Sequence, residues 1–216
     1  MIIYTTDTEY FSETLLEELI RYIHPDRAAY ALRASNPEVR RQRIIGSLLL
    51  MIALRKEYQM ENCPVIESSP LGKPVLRDYP YIHFNLSHSD GVVACMTSDV
   101  PCGIDVQHCI PYRESVANRY FSEAEQCKLH DLKDPHESSM YFTALWTRFE
   151  CQTKLIGTGI SGSISSTLDD PTEITTLYFS DFCMSFSGVL NHPPVLMKGP
   201  EILGFFRRNY PKKVSF

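Results

Sequence analysis

The sequence predicts an α+β fold built from two lobes of similar make-up. The chain has 216 residues, 44% of them apolar and 22% charged, which suits a globular protein with one core or two small ones. In each half, segments with helical periodicity precede shorter segments that alternate like strands. A soft boundary near residues 100–110 gives an N-terminal lobe, 1–102, and a C-terminal lobe, 103–216.

Helices are predicted at the start of the first half. Apolar residues recur at helical spacing over 8–23, and a second, shorter helix covers 26–34. A third covers 37–59, because Asn36 suits a helix cap and Pro37 suits the first turn. Its inward face carries Val39, Ile44, Ile45, Leu48, Leu49 and Ile52.

Extended segments follow these helices. Residues 62–76 surround a loop or hairpin tip at Gly72-Lys73-Pro74. Residues 82–87, 92–97 and 103–107 read as three adjacent short strands, which predicts a β-meander.

The second half repeats the order of helix before strand. Ser122 and Glu125 form a capping-box pattern that starts a helix over 122–132, and a long helix covers 137–156. Strand-like segments then cover 172–179, 182–187 and 194–198, and a basic tail, 207–216, is expected to fray.

The long helix carries the most informative pattern. Trp146, Glu150 and Lys154 lie four residues apart and therefore share one face, and Gly157 and Gly159 suit the left-handed positions at a helix end. Two interpretations stay open here: a core helix with one weak ion pair, or a functional face beside the chain's single Trp.

Asp105 lies inside an apolar strand, on the same face as Gly103 and Gln107. Alone it could be a charge at a turn or sheet edge. Together with Glu150 it resembles the small set of oxygens that Mg²⁺ takes beside substrate phosphates.

Other charged and polar positions are weaker signals. Arg40, Arg41 and Arg43 near the start of the third helix form either a solvated face or an anion site, because cations there oppose the helix dipole. The polar run 85–89 could donate to a phosphate or cap a turn. Walker A, nucleophile-elbow and zinc-protease motifs do not occur in the sequence, and no G-x-G-x-x-G follows a predicted strand, so a dinucleotide-binding site is disfavoured.

Charge and patterning exclude some function classes. The net charge of −5 and the pI of about 5.8 disfavour nucleic-acid binding. We expect neither a signal peptide nor a membrane segment, because the start lacks a basic leader and the longest apolar run, Leu48 to Leu54, has seven residues. The seven cysteines form no C-x-x-C pair, so we expect a cytoplasmic protein whose thiols are mostly small core residues.

Five motifs in order resemble the 4′-phosphopantetheinyl transferases, and most nearly the long, single-chain surfactin-synthetase-activating type. They are G-K-P (72–74), F-N-L-S-H-S (84–89), G-I-D-V-Q (103–107), R-Y-F-S-E-A-E (119–125) and W-x-x-x-E-x-x-x-K-x-x-G-x-G (146–159). The resemblance implies a pseudo-two-fold pair of α+β lobes with coenzyme A in the cleft between them. It also implies transfer of phosphopantetheine to a serine of an apo acyl or peptidyl carrier protein, with release of adenosine 3′,5′-bisphosphate.

The resemblance also implies roles for individual residues. Asp105 and Glu150 would bind Mg²⁺, and Lys154 would reach the pyrophosphate and the reacting phosphorus. Glu150, directly or through a metal-bound water, is the candidate general base. Contacts to coenzyme A would come from Lys154 and from Arg27, Lys73, Ser87, His88 and one of Arg40, Arg41 or Arg43, with Arg43 ranked first.

Two positions depart from the family pattern, which has an acid at Gln107 and a lysine at Phe149. A Gln carbonyl can still serve as a metal ligand with one charge fewer, and Phe149 points about 100° away from Glu150 on a helix, as a packing residue would. These departures motivate an alternative, a catalytically degenerate module that binds coenzyme A or a carrier protein. An unrelated structural or interaction protein is a third possibility. We expect a monomer with a local basic or apolar surface for the carrier.

Overall fold

The computed structural model describes residues 1–157, 173–188, 190 and 192–210, and within them the chain is an α+β protein as predicted. The helices are α1 (Glu13–Leu19), α2 (Pro25–Leu32), α3 (Pro37–Tyr58), α4 (Glu114–Tyr120), α5 (Glu123–Asp131), α6 (Pro135–Ile156) and α7 (Gly199–Asn209). The strands are β1 (Ile2–Thr5), β2 (Ile66–Ser68), β3 (Pro74–Leu76), β4 (His83–Ser89), β5 (Val92–Ser98), β6 (Ile104–His108), β7 (Ile174–Tyr178), β8 (Phe182–Ser187) and β9 (Val195–Leu196). Gly159, Thr172 and residues 211–216 of the predicted tail lie outside the described residues.

The first sheet has the strand order β4-β5-β1-β9 and lies under α3. Neighbouring strands are antiparallel except for β1 and β9, which are parallel. The prediction of one helix over 8–23 is wrong. The chain starts with β1, and α1 covers only Glu13–Leu19 after its cap at Ser12, between single 3₁₀ turns. β1 was not predicted because all four of its residues are buried, so the strand shows no alternation of apolar and polar positions.

Helix α3 has the predicted cap, since the Asn36 Oδ1 accepts hydrogen bonds from the amides of Glu38 and Val39. It ends at Gln59, which adopts a left-handed conformation with φ of 56°. The predicted inward residues from Ile44 to Ile52 are buried, whereas Val39 in the first turn is only half-buried. Because every residue from 44 to 54 is buried, this helix is enclosed on all sides rather than amphipathic.

The second sheet has the order β6-β8-β7 and lies under α6. The predicted meander is therefore wrong for its third strand, because β6 pairs with β8 instead of extending the β4–β5 hairpin. Helix α6 is capped by Asp134, whose Oδ1 accepts from the Glu137 amide at 2.8 Å, and it ends at Gly157 with φ of 86°. Both long helices thus have 22 residues and the same cap-Pro start.

Helices α4 and α7 were not predicted from the sequence, whereas the capping box that starts α5 is present as predicted. Arg207 and Arg208 lie in the last turn of α7, so the prediction of a frayed tail is wrong up to Asn209. A Gly-Pro start and four buried apolar residues at helical spacing were the missed signal: Ile202, Leu203, Phe205 and Phe206.

The C-terminal elements return to the first sheet, where β9 pairs with β1 and α7 packs against α3. The division at 102/103 and the pseudo-two-fold relation stay predictions. All seven cysteines are free thiols, four of them buried. In the part of the chain that the structure describes, we find no helix with both the length and the apolar character that crossing a membrane requires.

Candidate active site

The site forms where α6 crosses β6 at very short range. A Cβ added to Gly103 would lie 2.3 Å from the Cys151 carbonyl oxygen and 2.8 Å from the Leu155 amide nitrogen. Real Cβ atoms do not approach backbone atoms so closely, so only glycine permits this crossing. The crossing brings Glu150 and Lys154 of α6 opposite Asp105 of β6. The interpretation of the sequence also required these three residues to lie together.

Asp105 is almost completely buried and is held through one of its two oxygens. Its Oδ1 accepts hydrogen bonds from Lys154 Nζ at 2.6 Å and from Ser87 Oγ at 2.7 Å. Its Oδ2 is also buried and has no hydrogen-bond partner among the described residues. A buried carboxylate oxygen without a donor is costly, so Oδ2 is the atom best placed to receive a cation.

Glu150 lies beside Asp105, and the two carboxylates influence each other. Burial first, and then the charge of Asp105, raise the pKa of Glu150 to about 7, while Lys154 and a hydrogen bond from Trp146 act in the opposite direction. The three residues that share the face of α6 therefore act on one another. One lysine does not balance two facing acids, which is a second indication that this site suits a cation.

Side chains of β4 join the two sheets in place of a backbone ladder. The amides of Ile104 and Val106 donate to Asn85 Oδ1 at 3.0 Å and to Ser87 Oγ at 3.1 Å. Ser89 Oγ accepts from the His108 amide, also at 3.1 Å. We call these three β4 side chains, Asn85, Ser87 and Ser89, the polar ladder. They satisfy the free edge of β6 next to Asp105, which explains why β6 does not pair with β4.

Gln107 lies two residues beyond Asp105 on the same face of β6. Its Nε2 donates to Ser89 Oγ at 2.9 Å, which leaves its carbonyl oxygen as the atom available to a ligand. Among residues 1–157, 173–188, 190 and 192–210, no three or more His, Cys, Asp and Glu side chains are grouped to hold a metal. The oxygens available to a cation here are those of Asp105, Glu150 and the Gln107 amide.

Phe149 is a packing residue. Its ring lies 4.5 Å from the Tyr120 ring and 5.7 Å from the Trp146 ring, centre to centre. The three rings form an aromatic cluster between α4 and α6. Phe149 thus fixes Trp146, which in turn hydrogen-bonds Glu150.

Three arginines form a cationic region around Tyr30, and the charge of one of them, Arg43, acts on His88. The guanidinium carbons of Arg43, Arg27 and Arg33 lie 4.2, 4.8 and 5.6 Å from the centre of the Tyr30 ring. Partial burial and the charges of Lys154 and Arg43 lower the pKa of His88. Three guanidinium groups around one ring, beside a histidine, can attract the phosphates of a nucleotide.

The remaining predicted arginines have protein partners. Arg41 forms an ion pair with Glu38 at 2.6 Å, and Arg40 donates to the Ala34 carbonyl. Arg43 donates to the Tyr30 carbonyl at 3.2 Å and is the one of the three that joins the cationic region.

Lys73 lies apart from the acids and bridges two backbone segments. Its Nζ donates to the Cys102 carbonyl at 2.8 Å and to the Leu155 carbonyl at 3.0 Å, and burial lowers its pKa. The second carbonyl belongs to the last turn of α6, where a cation is favourable. Lys73 therefore ties the loop after β2 to both elements that carry the acids.

The structure thus joins Asp105, Glu150, Lys154 and Ser87 in one cluster, with Gln107 beside it. Sequence reasoning did not identify the roles of Asn85, Ser89 and Tyr30. The alternation N-x-S-x-S over 85–89 was a usable signal, because it puts three hydrogen-bonding side chains on one face of a strand.

The chain is similar to known proteins over much of its length. A family model described as the 4′-phosphopantetheinyl transferase superfamily matches residues 101–187. The chain is 30% identical over 151 residues to 4′-phosphopantetheinyl transferase Sfp of Bacillus subtilis (strain 168), covering 69% of this chain and 67% of that relative. It is 35% identical over 153 residues to 4′-phosphopantetheinyl transferase psf-1 of Bacillus pumilus, covering 70% and 65%. A third relative, 4′-phosphopantetheinyl transferase gsp of Aneurinibacillus migulanus, is 31% identical over 63% of this chain and 56% of its own length.

Proposed function

The chain belongs to the 4′-phosphopantetheinyl transferase superfamily, and from that membership we propose that it transfers 4′-phosphopantetheine from coenzyme A to a serine of an apo acyl or peptidyl carrier protein. The second product is adenosine 3′,5′-bisphosphate. The relatives are transferases by name, and the chain aligns with 56–67% of the length of the three described above.

One observation carries this proposal: the cluster in which Lys154 bridges Asp105 and Ser87 while Glu150 faces Asp105. It combines a cation for phosphate oxygens, a carboxylate oxygen without a donor and an acid whose pKa is near neutrality. Those are the parts that phosphoryl transfer needs when the nucleophile comes from the partner protein.

We propose Mg²⁺ as the metal of this site. Asp105 Oδ2 and the Glu150 carboxylate would hold it, with the Gln107 carbonyl oxygen as a neutral third position. Such a small set of oxygens suits Mg²⁺, which keeps several waters and binds substrate phosphates. When bound, the ion would neutralise charge on the pyrophosphate oxygens.

The acid–base step is assigned to Glu150. Its carboxylate is proposed to accept the proton of the carrier serine hydroxyl. The serine oxygen forms a bond to the β-phosphorus of coenzyme A as the bond between that phosphorus and the bridging oxygen breaks. The bridging oxygen leaves with adenosine 3′,5′-bisphosphate.

Lys154 is proposed to stabilise the leaving phosphate. An ammonium group has three donors, and two of them are used on Asp105 and Ser87. The third has no partner among the described residues and is proposed to bind a pyrophosphate oxygen.

Arg27, Arg43 and His88 are proposed to bind the phosphates at the adenosine end of coenzyme A, next to the Tyr30 ring. Lys73 and Ser87 were matched to the same role by resemblance, and both already have several protein partners. The catalytically degenerate alternative gains no support, because Asp105, Glu150 and Lys154 are all present and in one cluster.

The proposed function is tested by incubating the protein with coenzyme A, Mg²⁺ and a panel of apo acyl and peptidyl carrier proteins. We expect a phosphopantetheine mass gain on the carrier and equimolar release of adenosine 3′,5′-bisphosphate. A carrier whose acceptor serine is replaced by alanine is the control. If no carrier gains mass while coenzyme A still binds, the degenerate alternative replaces this proposal.

A further inference from the structure

The Ser87 hydroxyl is fully occupied inside the protein. A serine hydroxyl has one donor and two acceptor positions. Ser87 Oγ donates to Asp105 Oδ1 at 2.7 Å and accepts from the Val106 amide at 3.1 Å and from Lys154 Nζ at 2.9 Å. The residue is 3% exposed, so it offers neither a spare hydrogen-bonding position nor a surface to a phosphate.

The same arrangement repeats one step along the polar ladder. Ser89 Oγ accepts from the His108 amide and from Gln107 Nε2 at 2.9 Å. Each serine hydroxyl thus accepts a hydrogen bond from one backbone amide of β6 and also hydrogen-bonds a side chain of the candidate metal site. Ser87 holds Asp105 by one oxygen, and the other oxygen has no donor among the described residues. Ser89 accepts from the Gln107 amide nitrogen, and the Gln107 side-chain oxygen has no partner in that part of the chain.

We propose that the polar ladder is a positioning device for the metal site, in which Ser87 orients Asp105 and Ser89 orients Gln107, and that Ser87 does not contact coenzyme A. This inference rests on the proposed function. It assigns to Ser87 a role different from the nucleotide contact that the family resemblance implies.

His88 offers a matched control on the same strand. It lies between the two serines, so its side chain points to the opposite face of β4, and the charges that act on it include those of Lys154 and Arg43. A residue that binds the 3′-phosphate should distinguish coenzyme A from 3′-dephospho-coenzyme A. A residue that orients Asp105 should not.

Ser87→Ala, Ser89→Ala and His88→Ala are compared with wild type in two measurements. The first is an Mg²⁺ titration without substrate, followed by the fluorescence of Trp146, the single Trp, which hydrogen-bonds Glu150. The second is KM and kcat for transfer from coenzyme A and from 3′-dephospho-coenzyme A. Thermal unfolding of each variant reports whether it is folded.

For Ser87→Ala we expect the Mg²⁺ concentration at half-saturation to rise about tenfold and kcat to fall, because a buried hydrogen-bond partner of Asp105 is lost. The KM for coenzyme A should change less than about twofold, and the preference for coenzyme A over its dephospho form should persist. Ser89→Ala should shift the Mg²⁺ response in the same direction by a smaller factor. His88→Ala should instead lose the preference for the 3′-phosphate.

The proposal is overturned if Ser87→Ala raises KM for coenzyme A and abolishes that preference while its Mg²⁺ response stays as in wild type. If Ser87→Ala does not fold, Ser89→Ala decides, because an unchanged Mg²⁺ response in that variant contradicts the role of the ladder. Failure of the proposed function would look different: wild type would transfer nothing from either substrate, and the fluorescence titration would still compare the variants.

Discussion

Lys154 on α6 reaches Asp105 on β6 with its Nζ 2.6 Å from Oδ1, although the two residues are 49 positions apart in the chain. Asp105 is 3% exposed, and Lys154 forms the ion pair with its carboxylate. The contact joins the helix and the strand that carry both acids.

Replacing the cation tests its structural part. Lys154→Met should lower the free energy of unfolding in Mg²⁺-free buffer by about 2–4 kcal/mol, because it leaves a buried carboxylate without its partner. Adding Asp105→Asn to the same chain should restore much of this loss. Urea denaturation of wild type, the two single variants and the double variant gives the coupling energy between the two residues. Equal losses of unfolding free energy in the lysine variant and in the double variant would contradict the pairing.

Glu150 should make stability depend on pH. Its pKa is raised to about 7, so between about pH 5 and 7 the folded protein holds a proton that the unfolded chain releases. The free energy of unfolding therefore falls as pH rises through this window and levels off above it. In Glu150→Gln this pH dependence of stability should be missing. Denaturation at several pH values in chelator-containing buffer measures it. If stability falls with pH equally in wild type and in the variant, Glu150 is not its source.

Gly103→Ala tests the close crossing of α6 and β6. The new Cβ would meet the Cys151 carbonyl oxygen at 2.3 Å, so the helix must move and the acids must separate. We expect a loss of about 2–4 kcal/mol in stability and a transfer rate reduced at least about tenfold.

The control for that experiment is Gly46→Ala in α3. There the nearest atoms to a new Cβ are Val93 Cγ1 at 3.6 Å and Leu86 Cδ1 at 3.8 Å, which is ordinary contact. Alanine also favours a helix interior by about 0.5–1 kcal/mol. Gly46→Ala should be neutral or stabilising, and a Gly103→Ala protein that behaves like it would contradict the close crossing.

Gln107→Glu supplies the third acid that the family pattern has at this position. A third carboxylate should lower the Mg²⁺ concentration at half-saturation by about three- to tenfold, because binding strength follows ligand charge. Gln107→Ala is the matched control and should raise that concentration. The Trp146 fluorescence titration measures both, and a response unchanged in both variants would remove Gln107 from the metal site.

Much of the fold could be predicted because local signals were strong. The caps Asn36 and Ser122 and the apolar periodicity of α3 and α6 predicted three helices to within a few residues. β1 and α7 were missed because one is wholly buried and the other lies in a stretch dominated by its basic end.

The partner of β6 was mispredicted for a different reason. Strand pairing depends on long-range contacts, and here the side chains of Asn85, Ser87 and Ser89 replace the ladder that neighbouring strands usually form. The sequence placed Glu150 and Lys154 on one face of a helix. Their meeting with Asp105 depends on the close approach at Gly103, which periodicity does not encode.

The most direct test of the account is the transfer of phosphopantetheine to an apo carrier protein by wild type, Asp105→Asn, Glu150→Gln and the double variant, read by mass spectrometry. We predict that each single variant is at least about 100-fold slower than wild type and that the double variant is not much slower than either, because the two acids act as one unit. If either single variant modifies the carrier serine at the wild-type rate, the proposal that the two acids act as one unit is contradicted.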